Sequence, residues 1–398
     1  MTAFSPDLPK RVDEVMTRHV ETDETGGVAW LAWRDGEEVA GSAGVLTRGE
    51  PGAVQRDSLF RIASVTKPIV SVAALQLVEE CRLRLEDPVD DLLPELANRR
   101  VLVDGRGPLD GETVPAERSI TVRDLLTMQC GLGMDFAAPW PQPLFDAMAE
   151  LSLGPGAPEP HSQPEPDEWM RRLGTLPLIA QPGGPWLYNT ATDILGVLVA
   201  RAAGSPLDQV LRERVLDPLG MDDTGFWTSA TDRLGTSYSV EEGGGRSAYD
   251  APDGRWSSPP PFASGAAGLV STVDDIAAFG RMLLDGGRLP DGSRLLSRAS
   301  VEAMTTDQLG VAAGRHPGTT ADGAQGWGFG VGVQMRRTSV TRSVGSYGWD
   351  GGLGSSWAND PGERVVGVVL STDMFGGSEA LPHPLADFWT TVCSGLGD

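Results

Sequence analysis

A serine and a lysine three residues apart share one face of a helix, and Ser64-Val65-Thr66-Lys67 stands at the head of the apolar run Pro68 to Val78. Apolar residues occupy nearly every face of that run, so a helix there is a buried one. A lysine seldom sits in such a place without a partner. The chain holds 32 Lys plus Arg, yet only two of these are lysines, Lys10 and Lys67. Arginine keeps its proton at any working pH, whereas a partly buried lysine can give it up and serve as a base. The pair therefore reads as a serine nucleophile with an amine to activate it. Alone the motif is weak, because S-x-x-K recurs by chance and a polar helix start with a stray lysine is the commoner explanation.

A serine and an amine need a group to relay protons to the leaving group, and N–H donors aimed at the developing oxyanion. Two further stretches offer these. In Gln181-Pro182-Gly183-Gly184-Pro185-Trp186-Leu187-Tyr188-Asn189-Thr190, Tyr188 has a hydroxyl that shuttles a proton if a neighbouring ammonium lowers its pKa. It reads equally as an aromatic packed on the helix that follows. In Gly348-Trp349-Asp350-Gly351-Gly352-Leu353-Gly354, glycines let a strand backbone approach a substrate and point an N–H at it. An ordinary glycine-rich turn accounts for that stretch as well.

The elements that must position these groups follow from the hydrophobic pattern. Leu8, Val12, Val15, Met16 and Val20 make Asp7 to Thr22 a one-sided helix. Gly27 to Trp33 and Glu38 to Leu46 read as strands joined by the Asp35-Gly36 turn. From Glu79 to Gly220 the pattern predicts helices over 89–96, 122–128, 144–151, 167–173, 191–203 and 207–215, with loops at Gly154 to Pro166 and Glu241 to Pro261. Thr272 and Asp275 resemble a capping box before a helix over 276–284. The tail reads as strands over 328–335, 339–347, 354–358 and 365–372, then a helix over 381–393. Strands at both ends around a helical middle predict an α/β (α+β) fold. Its antiparallel sheet domain comprises residues 1–75 and 265–398, with an inserted, mainly helical domain at 76–264. The groove lies between the two.

Composition narrows the function classes. A formal charge of -23 in 398 residues repels DNA, RNA and anionic lipid. Cys81, Cys130 and Cys393 are odd in number and far apart, which fits reduced, buried thiols rather than a disulfide framework or zinc site. His19, His161, His316 and His383 show no metal-ligand spacing, and no G-x-S-x-G or phosphate loop occurs. Gly326 to Gly332 alternates like a strand and lacks a dinucleotide-loop spacing. Met1 to Thr25 lacks a basic head and apolar stretch, and the protein reads as cytoplasmic.

The three stretches, in this order, resemble the serine beta-lactamase and penicillin-binding-protein superfamily, most closely its class C branch and the family VIII carboxylesterases. Leu59 to Lys67, Ile120 to Thr127, Pro218 to Phe226 and Gly268 to Thr272 extend the resemblance over most of the chain. It implies a beta-lactamase-like fold, Ser64 as the acylated nucleophile, Lys67 as its amine partner and Tyr188 as proton shuttle. It also implies an oxyanion hole from the backbone N–H groups of Ser64 and Gly352, and no metal or organic cofactor.

Departures from the family pattern bear on substrate. Where lactamases and carboxypeptidases carry Tyr-x-Asn, with the amide holding substrate and lysine, this chain has Thr190. Where they open the third motif with a cation, it has Trp349, followed by Asp350 and Gly351. A charge-assisted bond to a substrate carboxylate, worth roughly 1.5 to 3 kcal/mol, is then missing, and Asp350 nearby repels. Met128-Gln129-Cys130-Gly131 also departs from the family, with Cys130 read as structural. The expected protein is a serine hydrolase acting as a carboxylesterase on neutral acyl esters, with Thr190, Trp349, Asp350 and Gly351 contacting substrate. Acyl transfer from the same site, weak beta-lactam hydrolysis or D-amino-acid peptidase activity, and a ligand-binding module without turnover are the alternatives.

Overall fold

The computed structural model describes residues 3–136, 138–241, 245–309, 323–374 and 383–397, and the statements below concern those residues. His316 and the predicted helix start at Leu381 lie outside them.

Helix α1 (Leu8–Glu21) buries Leu8, Val12, Met16 and His19 along one stripe, close to the predicted face. Strands β1 (Gly27–Arg34) and β2 (Glu37–Gly44) form the predicted hairpin. Asp35 and Gly36 take φ of 47° and 92°, the positive dihedrals that a two-residue hairpin turn requires. A short β3 (Phe60–Arg61) leads through a 3-10 turn, Ala63–Val65, into α2 (Thr66–Glu79), which is buried almost throughout.

The middle of the chain is mainly helical: α3 (Val122–Leu126), α4 (Pro143–Glu150), α5 (Pro166–Leu173), α6 (Thr190–Ala203), α7 (Leu207–Leu211) and α8 (Asp217–Leu219). A hairpin of β4 (Arg100–Leu102) and β5 (Thr113–Pro115) interrupts it unforeseen. The helix expected over 89–96 shrinks to a 3-10 turn at Pro94–Leu96. The Val89 N–H is spent on the Ile120 carbonyl at 2.9 Å, and Pro94 has no N–H to offer.

Part of the expected loop at 241–261 is instead ordered as β7 (Arg246–Asp250) pairing with β6 (Ser237–Val240). Strand β8 (Val270–Ser271) pairs with β3, and α9 (Val273–Leu284) starts after Thr272, whose side chain accepts the Asp275 N–H. The Asp275 carboxylate turns to the Thr224 hydroxyl at 2.7 Å and the Asp223 N–H at 3.1 Å.

After α10 (Arg298–Met304) come β9 (Gln325–Trp327), β10 (Gly332–Gln334), β11 (Tyr347–Gly351), β12 (Ser355–Asp360), β13 (Val365–Ser371) and α11 (His383–Ser394). The strand expected over 328–335 forms only as β10: residues 328–331 are a hairpin turn, closed by Gly328 N–H to Val331 O at 2.8 Å with Gly330 at φ 78°. The strand expected over 339–347 does not form. Val340 and Val344 are 62% and 59% exposed, so their β-propensity has no sheet face to bury against.

Seven strands make one sheet in the order β2-β1-β13-β12-β11-β10-β9, every pair antiparallel, so the two ends of the chain are hydrogen-bonded side by side. Alternation along β1 sends Val28, Trp30 and Ala32 to a core shared with α1 and α11, and Ala29 and Leu31 to the main core with α2 and α9. The site forms on the second side, where β11 passes the N-terminal end of α2.

Candidate active site

Ser64 sits on the 3-10 turn that starts α2, 8% exposed, and Lys67 follows one helical turn later with no exposed surface. Lys67 Nζ lies 2.8 Å from Ser64 Oγ, donates to Asn189 Oδ1 at 2.9 Å and to the Ala266 carbonyl at 2.7 Å. It also stands 4.5 Å from the centroid of the Tyr188 ring. Tyr188 donates its hydroxyl proton to Ser64 Oγ at 2.8 Å and accepts the Trp349 indole N–H at 2.7 Å. Tyr188 and Trp349, distant in sequence, thus join Ser64 and Lys67 in one hydrogen-bonded chain.

The backbone around these groups is held in uncommon conformations. Ala63, just before Ser64, has φ 41°. Asn189 has φ 82° and ψ -66°, and the Thr190 N–H reaches the Tyr188 carbonyl at 3.2 Å. That is a γ-turn of the rare, strained kind. Such strain persists where the surroundings over-determine it. Here Tyr188 and Met134 exchange both backbone hydrogen bonds, at 2.8 and 2.9 Å, and α6 starts directly afterwards.

Burial sets the ionisation of both polar partners. Desolvation lowers the Lys67 pKa to about 7, against the charge of Asp193, which raises it. Burial pushes Tyr188 up to about 12, despite its hydrogen bonds with Ser64 and Trp349. The lowering of the tyrosine pKa expected from a nearby ammonium is therefore not what the site produces. A neutral phenol beside a lysine that titrates near neutrality is the better description.

On β11, a Cβ at Gly351 would stand 2.3 Å from the Ile62 carbonyl and 3.1 Å from Ser64 N, so only glycine lets the strand pass the nucleophile this closely. A Cβ at Gly352, the next residue, would meet nothing within 4 Å. Ser355 Oγ donates to the Ile62 carbonyl at 2.7 Å and ties the strand to the turn.

Three sequence expectations require correction. Thr190, expected to contact substrate, does not face the groove: it is 4% exposed, with its hydroxyl 3.9 Å from Met148 Sδ. The amide that holds Lys67 comes from Asn189, one residue earlier, where the γ-turn directs it inward. Asp350 does not face the groove either. Strand alternation places it on the opposite face from Trp349, where Ser356 Oγ donates to it at 2.5 Å and Trp389 Nε1 donates to Ser356 Oγ at 3.0 Å. Cys81 is exposed, not buried, although Cys130 is buried with its thiol pushed up to about 12 by desolvation.

Asp193 and Ala266 were missed. Asp193 Oδ1 accepts from Ser264 Oγ at 2.7 Å and from the Ala266 N–H at 3.0 Å, while the Ala266 carbonyl faces Lys67. Phe136, 53% exposed, packs on the Tyr188 ring with centroids 5.1 Å apart, and Trp140, 55% exposed, meets Phe145 edge-on at 4.6 Å. No group of three or more His, Cys, Asp or Glu among the described residues could hold a metal ion.

The chain is similar to known proteins over nearly its full length. It is 40% identical over 326 residues to Protein Rv1367c of Mycobacterium tuberculosis, covering 80% of this chain and 78% of that one. It is 32% identical over 403 residues to Esterase EstB of Burkholderia gladioli, covering 94% of each. Among solved structures it resembles EstCE1, a hydrolase with promiscuous acyltransferase activity, with a TM-score of 0.80 and 27% identity over 97% of this chain and 98% of the other. Residues 12–388 match the family described as Beta-lactamase, and with the serine, lysine and tyrosine already in contact, this chain belongs to the beta-lactamase family.

Proposed function

We propose that this serine hydrolase is a carboxylesterase that acts on neutral acyl esters through an acyl-enzyme on Ser64. The observation that carries the reading is the set of partners around Lys67. Asn189 Oδ1 and the Ala266 carbonyl can only accept hydrogen bonds. A neutral amine has two N–H groups to give them and one lone pair left, and the remaining partner is Ser64 Oγ, at 2.8 Å.

With its pKa lowered to about 7, Lys67 supplies that lone pair near neutral pH and takes the proton of Ser64 as Oγ attacks the ester carbonyl. The ammonium so formed keeps the same three partners, so no rearrangement is needed. The oxyanion rests on the N–H groups of Ser64 and Gly352, a role supported by the close passage of Gly351 and the open space at Gly352. Tyr188, still protonated, gives its proton to the departing alkoxide, and the Trp349 N–H steadies the phenolate left behind. In deacylation water loses a proton to that phenolate, attacks the acyl carbon, and Lys67 returns its proton to Ser64 Oγ.

The substrate preference is supported by the third motif. Position 349 offers an indole N–H already committed to Tyr188, so it brings no cation to a substrate carboxylate. The repulsion assigned to Asp350 no longer contributes to that argument. Phe136, half exposed against the Tyr188 ring, gives the site an apolar border where an alcohol can replace water, and this favours acyl transfer as a second reading. The division into 1–75 with 265–398 and an inserted 76–264 belongs to the proposal, supported by the sheet that β1, β2 and β9 to β13 share. So does a cytoplasmic address, supported by three free cysteines. A short-chain p-nitrophenyl ester and a chromogenic cephalosporin, each with wild type and Ser64→Ala, test the reading. Cephalosporin turnover far above ester turnover sinks the esterase preference.

A further inference from the structure

The three-way contact around Lys67 depends on a residue that touches neither Ser64 nor the groove. Asp193 lies in the first turn of α6, where the helix N-terminus favours a negative charge, and is 3% exposed. Its Oδ1 takes two hydrogen bonds from the turn at 264–267: Ser264 Oγ at 2.7 Å and Ala266 N–H at 3.0 Å. The carbonyl of that same Ala266 is a Lys67 acceptor, at 2.7 Å. Gly265 permits this, since a Cβ there would stand 2.7 Å from the Thr192 carbonyl on α6. One carboxylate therefore fixes the peptide that holds the lysine, and places a negative charge near it in a dry interior.

We propose that Asp193 is a positioning residue that tunes the basicity of Lys67, through its charge and through the Ala266 peptide. The proposal rests on Lys67 being the base of the reaction. The groups that face this pair are few. Ser64 and Tyr188 face Lys67 as neutral hydroxyl groups, Asn189 and Ala266 as neutral acceptors, and Asp193 is the charge acting on it. Burial raises the Asp193 pKa, against the hydrogen bonds from Ser264 and Ala266 and the charge of Lys67, which hold it down. Without the carboxylate, burial alone governs Lys67, which then holds a proton less firmly both at rest and when it deprotonates Ser64.

This links two readouts that a purely structural role would not link. Asp193→Asn keeps an oxygen acceptor for Ser264 and Ala266 and removes the charge. The lysine pKa is expected to fall by about one unit or more. The acid limb of kcat/KM moves with it, while the plateau falls by no more than about 10-fold per unit. The chain contains only Lys10 and Lys67 as lysines, and Lys10 is a surface residue, so NMR of isotope-labelled lysine reads the Lys67 titration directly, with Lys10→Arg for assignment. A Lys67 midpoint unmoved in folded Asp193→Asn overturns the proposal, as does one unmoved in Asp193→Ser. If neither variant folds, wild type decides: coupling requires a second, smaller inflection of the Lys67 signal where Asp193 titrates, and a single step overturns it. The lysine titration stands apart from turnover. Failure of the hydrolase reading shows as no acylation of Ser64, and failure of this proposal as an unmoved midpoint.

Discussion

Replacing Asn189 separates two roles that the structure assigns to one residue. Its side chain holds Lys67 at 2.9 Å, and its backbone sits at φ 82° and ψ -66°. Asn189→Gly and Asn189→Ala both delete the amide, but only glycine takes those dihedrals without strain. A strained backbone of this type costs of order 1–3 kcal/mol, and glycine gives back roughly 0.4–1 kcal/mol through the entropy of the unfolded chain. The glycine variant is therefore expected to be about 1–2 kcal/mol more stable than the alanine variant in urea unfolding. The neutral amine makes this bond too, so only its strengthening on protonation counts, from roughly 0.5–1.5 to roughly 1.5–3 kcal/mol. At about 1.36 kcal/mol per decade, that difference of about 1–1.5 kcal/mol should lower kcat/KM on a p-nitrophenyl ester roughly 5- to 12-fold, to a similar level in both variants. Equal stabilities would refute the strain argument. Activity of Asn189→Gly within about twofold of wild type would refute the role of the amide, since even the weakest such bond is worth more.

The other expectations follow from the same geometry. Because the working form of Lys67 is neutral, kcat/KM should drop as pH falls through about 7 and level off above it, and a profile flat between pH ~6 and ~8 would count against a lysine base. Trp349→Phe keeps a ring beside Tyr188 and removes its N–H donor, so kcat should fall by about 2- to 12-fold, the equivalent of roughly 0.5–1.5 kcal/mol; a change confined to KM would place Trp349 against substrate instead. Asp350→Lys, which reaches the face of Ser356 and Trp389, should lower the melting temperature and leave the rate ratio of carboxylate-bearing to neutral esters unchanged. A shift of that ratio towards carboxylates would put the side chain back in the groove.

The parts of the site that could be read from the chain are those coded locally. Ser64 and Lys67 are one helical turn apart, and the scarcity of lysine makes the second of them conspicuous. Tyr188 and the Gly351-Gly352 pair stand in short motifs that read equally well as packing or as a turn, and the family resemblance is what assigned them roles. Asn189, Asp193 and Ala266 were hidden because their roles depend on a γ-turn and on contact between segments about 70 residues apart, which no periodicity records. Asp350 was legible and misread: a strand through Trp349 that faces Tyr188 must turn the next side chain away. The sheet edges followed the same logic. The pattern foretold β1, β12 and β13, which are buried nearly throughout, and β2, which buries only Val39, and misled over 339–347, where valines stand in solvent.

The central claim is that Ser64 carries the acyl group, and intact-mass and peptide analysis after exposure to a panel of activated esters or a fluorophosphonate tests it most directly. The account predicts one adduct per chain, mapped to the peptide containing Ser64 and absent in Ser64→Ala. An adduct on another residue, or one that persists in Ser64→Ala, would contradict it.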